Sequence, residues 1–255
     1  MNGWNLENKK ALVTGGSKGI GKAIVNELLA LGAEVLFTGR NENDLLAAQQ
    51  EFQSRGFETH ILCGAVTNAD HRVDVMEWIA GNWGKLDILV NNAGINIRKP
   101  SNEYTSEEYL RVIDTDLIAP FEFCRVLFPL LQKSSKASII NIASVAGSFD
   151  VQTGAPYGMA KAGLIQLSRN LAGEWAGHGI RINCVSPWFT LTPLTKGFFA
   201  AQPEKLDKIK SRTPLKRIAQ DEEIAAAVAF LAMDKASFIT GQNLSVDGGI
   251  TSSLL

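Results

Sequence analysis

The sequence has few cysteines and no cluster of residues spaced like zinc ligands. Its 255 residues include three cysteines (Cys63, Cys124 and Cys184) and three isolated histidines. The cysteines are odd in number, widely spaced and set among apolar residues. We therefore expect them to be small buried side chains in a reducing compartment, without a disulfide or metal role. A metal-free, cytoplasmic protein is the default expectation.

An excess of charge of one sign and a long apolar run are also missing. The 25 basic and 26 acidic residues give a net charge of −1, so no overall field would attract nucleic acid or an anionic membrane. The longest apolar run, Ile224–Met233, is far shorter than the roughly 20 residues that span a bilayer. The polar start lacks the apolar segment of a secretory signal. With 45% hydrophobic residues, the chain predicts a compact soluble protein.

Short apolar segments alternate with longer amphipathic ones along the chain. This alternation predicts a mostly parallel seven-stranded sheet with helices on both faces, because parallel strands need crossover connections. No linker or repeat divides residues 1–255, so we expect one doubly wound α/β domain of the Rossmann type. The predicted strands are Lys10–Thr14, Glu34–Thr38, Glu58–Cys63, Leu86–Val90, Ser138–Ala143, Arg181–Ser186 and Asn243–Val246. The predicted helices include Gly19–Leu31, Asp44–Arg55, Ala69–Asn82, Ser106–Leu131 and Ala155–Gly177.

The least regular stretch runs from Pro187 to about Pro214. A structureless loop of this length is usually functional or disordered. It begins at the carboxyl end of a strand, which is the edge where open α/β sheets bind ligands. We therefore expect residues 188–214 to form a mobile lid over a ligand; a plain surface loop is the alternative.

A glycine-rich turn joins the first strand to the first helix. Gly15, Gly19 and Gly21 in the segment Thr14–Gly21 (TGGSKGIG) permit a tight turn and a close approach of the backbone to a pyrophosphate. The amides and dipole at the start of the following helix favour negative charge. A glycine triplet is weak evidence alone, but it lies here between a clear strand and a clear helix. The segment predicts a dinucleotide site; a glycine-rich turn without a ligand is the alternative.

The end of the second strand bears on which dinucleotide binds. A free ribose hydroxyl is usually held there by an acidic residue, but this strand ends Phe37-Thr38-Gly39-Arg40. Arg40 and Lys18 would place two cations near this point, and arginine can hold a 2′-phosphate in bidentate fashion. We expect NADP(H) rather than NAD(H); the alternative is that Arg40 is an ordinary surface residue at the start of a helix.

The chain resembles the short-chain dehydrogenase/reductase family along essentially its whole length. Besides the Thr14–Gly21 turn, the resemblance rests on Asn91–Gly94 (NNAG), Ser144, Tyr157–Lys161 (YGMAK), Pro187, Thr240–Gln242 (TGQ) and Asp247–Gly249 (DGG). Within the family it is most similar to tropinone-reductase-like members, on the Thr14–Gly21 turn, Glu174–Ala176 (EWA) and Leu191–Leu194 (LTPL).

The resemblance implies which residues form the site. Tyr157 would exchange the proton, Lys161 would favour its ionisation and bind the nicotinamide ribose, and Ser144 would orient substrate. Asp116 takes a fourth catalytic position, and Trp188 joins Ser144 and Tyr157 as a substrate contact. The expected cofactor contacts are Gly15, Ser17, Lys18, Gly19, Ile20, Gly21, Arg40, Ala65, Val66, Asn92, Ala93, Gly94, Tyr157, Lys161, Pro187, Thr190 and Thr192.

The residues themselves support the tyrosine and lysine roles. Tyr157 and Lys161 are four apart in a helical pattern and so share one face. A free tyrosine titrates near pH 10, so acid–base work near neutrality needs a shift of about 3 units, which a nearby ammonium favours. Ser144 follows the fifth strand and can donate to a substrate carbonyl or alkoxide.

Three positions depart from the family pattern. Asp116 stands where the family usually has an asparagine whose main-chain carbonyl holds a water. Pro120 has no N–H to give to that carbonyl, so we expect the carbonyl to stay free, with the carboxylate weakening the effect of Lys161 on the tyrosine. Trp188 replaces a usual glycine and is expected in a substrate wall or at a lid hinge. Ala65 lacks the polar side chain that often contacts adenine, leaving backbone contacts at Ala65 and Val66.

The leading hypothesis is an NADPH-dependent carbonyl reductase, or alcohol dehydrogenase in reverse. Its partner is a small-molecule ketone or secondary alcohol: a cyclic ketone, a 3-oxoacyl thioester, or a sugar or steroid ketone. The alternative is a catalytically weak or inactive NADPH-binding sensor or scaffold with the same fold. No nucleic acid or membrane partner is expected. The helices Ser106–Leu131 and Ala155–Gly177 pair between subunits in the family, so we expect a homotetramer, or else a homodimer.

Overall fold

Seven parallel strands form the central sheet of the protein. The computed structural model describes residues 3–253, apart from the side chains of Pro193, Leu194 and Phe198. The strand order is β3-β2-β1-β4-β5-β6-β9, and every neighbouring pair is parallel. These strands are β1 (Lys10–Thr14), β2 (Glu34–Gly39), β3 (Thr59–Cys63), β4 (Ile88–Asn91), β5 (Ser138–Ile142), β6 (Arg181–Pro187) and β9 (Asn243–Val246); β7 (Thr190–Leu191) and β8 (Ala219–Gln220) pair separately. The predicted doubly wound α/β fold is confirmed.

Helices cover both faces of the sheet. They are α1 (Gly19–Ala30), α2 (Glu42–Ser54), α3 (Ala69–Asn82), α4 (Ser106–Ile113), α5 (Ala119–Gln132), α6 (Ala155–Trp175), α7 (Pro193–Ala201), α8 (Pro203–Arg212) and α9 (Asp221–Ala232). On β1, Ala11 and Val13 pack with the layer of α1, α2 and α9, whereas Leu12 packs with the layer of α3, α5 and α6. The strands are therefore buried on both faces, which is why their sequences are continuously apolar.

The predicted single helix Ser106–Leu131 is wrong in one respect. A π-helical turn, Asp114–Ile118, separates α4 from α5. Pro120 has no N–H to donate to the carbonyl of Asp116, and the N–H of Ala119 bonds to Asp114 O, five residues back. The interruption places Asp116, in the middle of this turn, against the sheet with a fully buried side chain.

The stretch predicted as a structureless loop is mostly ordered into helices. After β7, residues 193–201 and 203–212 form α7 and α8. A role of residues 188–214 as a lid stays a prediction.

The prediction that all three cysteines are buried is wrong for one of them. Cys63, at the end of β3, is exposed, although Cys124 and Cys184 are buried as expected.

Candidate active site

The carboxyl ends of β1 and β4 are joined through one threonine hydroxyl. Thr14 Oγ1 accepts the N–H groups of Asn92 (3.0 Å) and Ala93 (3.1 Å). The side chain of Asn92 donates in turn to the carbonyls of Thr14 (2.9 Å) and Gly15 (3.1 Å). These bonds hold the NNAG segment against the glycine turn. They therefore position two predicted cofactor contacts, Asn92 and Ala93, beside Gly15.

The glycine turn has the backbone and the space that a dinucleotide cradle requires. Gly15 and Gly19 have φ of +69° and +51°, the left-handed region that favours glycine. A Cβ on Gly21 would lie 2.1 Å from Gly15 O and 2.4 Å from Asn92 Nδ2. Ser17 and Lys18 follow in the turn, and Ile20 lies in the first turn of α1. A side chain at these glycines would fill the cradle, so the residues present fit a pyrophosphate at the N-terminus of α1.

The two cations predicted near the end of β2, Lys18 and Arg40, differ in whether an acidic side chain already neutralises them. Lys18 Nζ lies 2.8 Å from Asp44 Oδ2, so that lysine already has an acidic partner. Arg40 is exposed and makes no ion pair with any residue of the described part of the chain. Gly39 closes the strand and leaves Ser17 Oγ 3.3 Å from where its Cβ would be. Of the two predicted cations, Arg40 is thus the one without an acidic partner among the described residues.

The predicted catalytic serine is positioned by a short helix that packs on α6. Ser144 follows β5, and its Oγ accepts the N–H of Ala146 (3.1 Å) at the start of a 3₁₀ turn, Val145–Gly147. A Cβ on Gly147 would lie 2.7 Å from the carbonyl carbon of Lys161, which only glycine avoids. This close approach brings the end of β5 against the part of α6 that carries Tyr157 and Lys161.

Tyr157 and Lys161 lie on one face of α6, as predicted. Lys161 Nζ lies 5.6 Å from the centre of the Tyr157 ring and donates to Ile142 O (3.0 Å). The lysine side chain is 5% exposed, whereas Tyr157 is partly accessible. Burial lowers the pKa of Lys161, but the charge of Asp116 and the Tyr157 oxygen outweigh burial, so its pKa is raised. The ammonium is therefore the stable form.

Asp116 joins this pair as a buried carboxylate. Its Oδ2 lies 3.2 Å from Lys161 Nζ, and its Oδ1 accepts the N–H of Ile95 (2.8 Å). Burial raises the pKa of the Asp116 carboxyl, against the opposing effects of the Lys161 charge and the Ile95 N–H. A Cβ on Gly94 would lie 3.1 Å from Oδ2, so the NNAG segment ends in contact with this ion pair.

A hydrogen bond between Trp188 and Thr213 joins the two ends of the segment 188–213. Trp188 follows Pro187, the last residue of β6, and its indole N–H donates to Thr213 Oγ1 (3.1 Å) just after α8. Its ring contacts Phe189 edge to face with centroids 4.8 Å apart. Of the two roles expected for Trp188, this geometry favours the lid hinge over the substrate wall.

Thr190 and Thr192 lie in the segment that follows Trp188. Thr190 is buried in β7 and Thr192 is bonded to Thr195. Leu191, Thr192 and Gly19 line a cavity of about 470 Å³ that extends along α1 and α2, away from the catalytic side chains. Leu191 and Thr192 therefore lie beside the first turn of α1, where two predicted cofactor contacts, Gly19 and Thr192, line the same cavity.

The predicted adenine contacts have their carbonyls engaged elsewhere. Ala65 O accepts the N–H of Asn68 (2.9 Å), and Val66 O accepts a guanidinium N–H of Arg72 (2.7 Å). Val66 is 9% exposed and packs with the α3 layer. Contacts to a cofactor from these residues would come from N–H groups or side chains.

Sequence reasoning missed a polar cluster next to the catalytic helix. Asn96 Nδ2 and Arg98 Nε both approach Thr153 Oγ1, at 2.6 and 3.3 Å, and Thr153 is four residues before Tyr157. Asn96 Oδ1 is buried and has no hydrogen-bond partner among the described residues. These residues come from two separate loops, so periodicity gives no signal for them.

Residues 3–253 contain neither a cluster of metal-ligating side chains nor a membrane-spanning helix. No set of three or more His, Cys, Asp or Glu side chains there could hold a metal ion. No helix in that part of the chain is long and apolar enough to span a membrane.

Comparison with known proteins identifies the class that this fold and site define. A family model described as enoyl-(acyl carrier protein) reductase matches residues 15–251. The chain belongs to the short-chain dehydrogenase/reductase family of oxidoreductases.

Three relatives show how far the likeness extends. A tropinone reductase homologue of Arabidopsis thaliana is 43% identical over 97% of this chain and 94% of its own length. A gluconate 5-dehydrogenase of Burkholderia cenocepacia, solved with NADP and tartrate, is 29% identical with a TM-score of 0.93, covering 98% of each chain. The ligand-free aldohexose dehydrogenase of Thermoplasma acidophilum is 30% identical with a TM-score of 0.88, over 97% of this chain and 96% of its own.

Proposed function

We propose that the protein is an NADPH-dependent carbonyl reductase, able to oxidise the corresponding secondary alcohol in reverse. The observation that carries the proposal is the placement of Tyr157 and a buried Lys161 ammonium on one face of α6, with Ser144 at the start of the 3₁₀ turn that packs against that helix. This triad lies at the same edge of the sheet as the glycine cradle. A nicotinamide cofactor, when bound, supplies or takes up the hydride.

The protein residues supply the proton and the orientation. In the direction of reduction, the Tyr157 hydroxyl donates its proton to the oxygen of the substrate carbonyl, which becomes the alcohol oxygen. The Ser144 hydroxyl donates a hydrogen bond to the same oxygen as negative charge develops on it. The Lys161 ammonium stabilises the phenolate that remains, and the proton is then replaced from solvent.

A preference for NADP(H) is supported by the end of β2. The strand closes at Gly39 with no acidic side chain to accept from a ribose hydroxyl, and Arg40 follows it with an exposed guanidinium. The NADP in the Burkholderia cenocepacia relative is consistent with this preference. Since Lys18 is held by Asp44, Arg40 would carry most of the discrimination.

Substrates that bear hydroxyl or carboxylate groups are supported by the Asn96, Arg98 and Thr153 cluster. Two of its side chains converge on Thr153, one turn before Tyr157 in the chain, and one amide oxygen there is buried without a partner. The relatives named for gluconate and aldohexose oxidation point the same way. We therefore favour sugar ketones and their acids among the candidate substrates.

The first experiment measures turnover. NADPH oxidation is followed with a panel of sugar, cyclic, steroid and 3-oxoacyl ketones, and NADP⁺ reduction with the matching alcohols. We expect turnover that Tyr157→Phe abolishes and that Glu77→Gln, a change on the exposed face of α3, leaves unchanged. NADPH binding without Tyr157-dependent turnover would instead favour the sensor or scaffold. Failure to bind NADPH would contradict both.

The second experiment measures cofactor choice. Arg40→Ala is expected to weaken NADP⁺ binding about tenfold to a hundredfold, because a charge-assisted bidentate contact is lost, and to leave NAD⁺ binding unchanged. Arg125→Ala is the matched control, since Arg125 is a surface cation on α5 that pairs with Glu122. An equal loss for both cofactors would contradict the assignment of Arg40.

A homotetramer, or a homodimer, is supported by exposed apolar side chains on the helices that face away from the sheet. They are Tyr109 and Leu110 on α4, Ile118 in the π-helical turn, Phe121 on α5 and Met159 on α6. Such a surface on one side of a protein is typical of a subunit interface. Light scattering at micromolar concentration tests this, and a monomer would contradict it.

A further inference from the structure

The Asp116 carboxylate is built into the site rather than placed there by chance. Its side chain has no exposed surface; one oxygen accepts a hydrogen bond, whereas the other makes an ion pair and has no hydrogen-bond partner among the described residues. Oδ1 accepts from Ile95 at 2.8 Å, in the loop that follows the NNAG segment, and Oδ2 faces the Lys161 ammonium at 3.2 Å. The Lys161 charge and the Ile95 hydrogen bond favour the ionised carboxylate, while burial opposes them and leaves the pKa of Asp116 raised.

The contact uses part of the bonding capacity of Lys161. An ammonium has three N–H donors. One donates to Ile142 O at 3.0 Å, and the other two face the Asp116 ion pair and a ribose hydroxyl or water, since Asp116 Oδ2 makes no hydrogen bond within the described residues. Lys161 can therefore still reach a ligand, but its charge is offset by an anion that an asparagine at position 116 would not supply.

The other titratable groups around Lys161 do not change this balance near neutral pH. The groups that act on its ammonium are Asp116 from the π-helical turn, Tyr157 from α6 and Cys184 from β6. Burial raises the pKa of the Cys184 thiol to about 11, so Cys184 is neutral. The net charge next to Tyr157 is consequently set by Lys161 and Asp116 together.

We propose that Asp116 is a positioning residue that offsets the charge of Lys161 and so keeps the Tyr157 phenol protonated, and able to reduce carbonyls, up to a higher pH than an asparagine would allow. This rests on the proposed function, since it assigns a consequence to the same tyrosine. Asp116 Oδ2 lies 3.2 Å from Lys161 Nζ, which lies 5.6 Å from the centre of the Tyr157 ring, so the carboxylate is within about 9 Å of that ring. Removing one charge at such a distance, at an effective dielectric of about 20, corresponds to a shift of about 1 to 2 pH units.

The kinetic test compares pH profiles. In Asp116→Asn, the alkaline fall of kcat/KM for carbonyl reduction should move to lower pH by about 1 to 2 units, and the rise for alcohol oxidation should move with it. Asp87→Asn is the matched control. Asp87 is also buried (3% exposed), but it lies before β4 at the opposite edge of the sheet, where it accepts from Ser134. Its midpoints should match those of the unmodified enzyme.

A titration that needs no turnover separates this inference from the proposed function. The chain has three tyrosines, so the phenolate absorbance of the protein minus that of Tyr157→Phe reports Tyr157 alone. In Asp116→Asn this difference titration should move to lower pH. Asp116→Ser, which keeps an acceptor without charge, should act in the same direction if the asparagine variant does not fold. An unchanged midpoint, or one at higher pH, overturns the proposal even if the enzyme reduces ketones. A shift to lower pH supports it even if no substrate is found.

Discussion

Three buried polar side chains form a hydrogen-bonded chain between β4, β5 and α6. Breaking these hydrogen bonds should lower the free energy of unfolding by a predictable amount. Asn91 Nδ2 donates to Asn141 Oδ1 (2.8 Å), and Asn141 Nδ2 donates to Ser168 Oγ (2.7 Å). All three residues are at most 3% exposed. Ser168 is seven residues beyond Lys161 on α6, so the two side chains face the sheet together. The chain therefore links β4 and β5 to the helix that carries the catalytic pair.

The magnitude follows from what Asn141→Ala removes. Two hydrogen bonds are lost, each contributing about 1 kcal/mol, and the buried donor on Asn91 is left with only a weak contact to Cys124 Sγ at 3.5 Å. An unsatisfied buried donor costs about 1–3 kcal/mol. We expect a total loss of about 3–5 kcal/mol in the free energy of unfolding, or roughly 10 °C in Tm for a chain of this size.

The assay is reversible urea unfolding at fixed subunit concentration, with a double-mutant cycle. Asn141→Ala and Ser168→Ala should show a coupling energy of about 1 kcal/mol, because they share one hydrogen bond. Asn170→Ala, on the exposed face of the same helix, should change stability by less than about 0.5 kcal/mol. A loss below about 1 kcal/mol for Asn141→Ala would contradict the stabilising role given to its hydrogen bonds. Additive effects of Asn141→Ala and Ser168→Ala would contradict their coupling.

Three further changes act on other parts of the molecule. Gly21→Ala should weaken NADPH binding at least about tenfold in a fluorescence titration, because its Cβ would lie 2.1 Å from Gly15 O. Hydrogen bonds from a lysine and a backbone N–H lower the pKa of Glu108 from 4.5 to about 2. The stability difference between the protein and Glu108→Gln should therefore be constant above pH 4.5 and disappear as the pH falls to about 2, measured as Tm. Trp188→Phe keeps a ring but loses the N–H donated to Thr213, so hydrogen exchange across residues 190–212 should become faster.

The sheet and the glycine cradle could be predicted because their signals are local. Strands buried on both faces are continuously apolar, and the bounds of β1 and β9 match the prediction. Positive φ at Gly15 and Gly19 is a requirement that only the residue type reveals. The tyrosine and lysine on α6 are four residues apart, so a helix places them together without knowledge of any other element.

The missed features depend on contacts between distant segments. The π-helical turn is stabilised where Asp116 meets Lys161 and Ile95, and helical periodicity continues through it unchanged. The Arg98 contact with Thr153 joins two loops 55 residues apart. The position of Lys18 in the glycine turn predicts that its charge is available to a phosphate. Its acidic partner, Asp44, lies in the next helix, so this contact gives no signal in the local sequence.

The packing of the π-helical turn on α6 gives a last prediction that separates local from long-range effects. A Cβ on Gly163 would lie 2.8 Å from Leu117 Cδ2, next to Asp116, whereas one on Gly173 would meet no atom within 4 Å. Both glycines are inside α6, so alanine at either gains about 1 kcal/mol of helix propensity. Gly173→Ala should therefore stabilise the protein and leave its pH profile unchanged. Gly163→Ala should lose that gain to crowding at Leu117 and shift the pH profile, because the Asp116 carboxylate moves relative to Lys161. If the two variants are stabilised equally and have the same pH profile, the packing of Gly163 on Leu117 does not position the Asp116 carboxylate relative to Lys161.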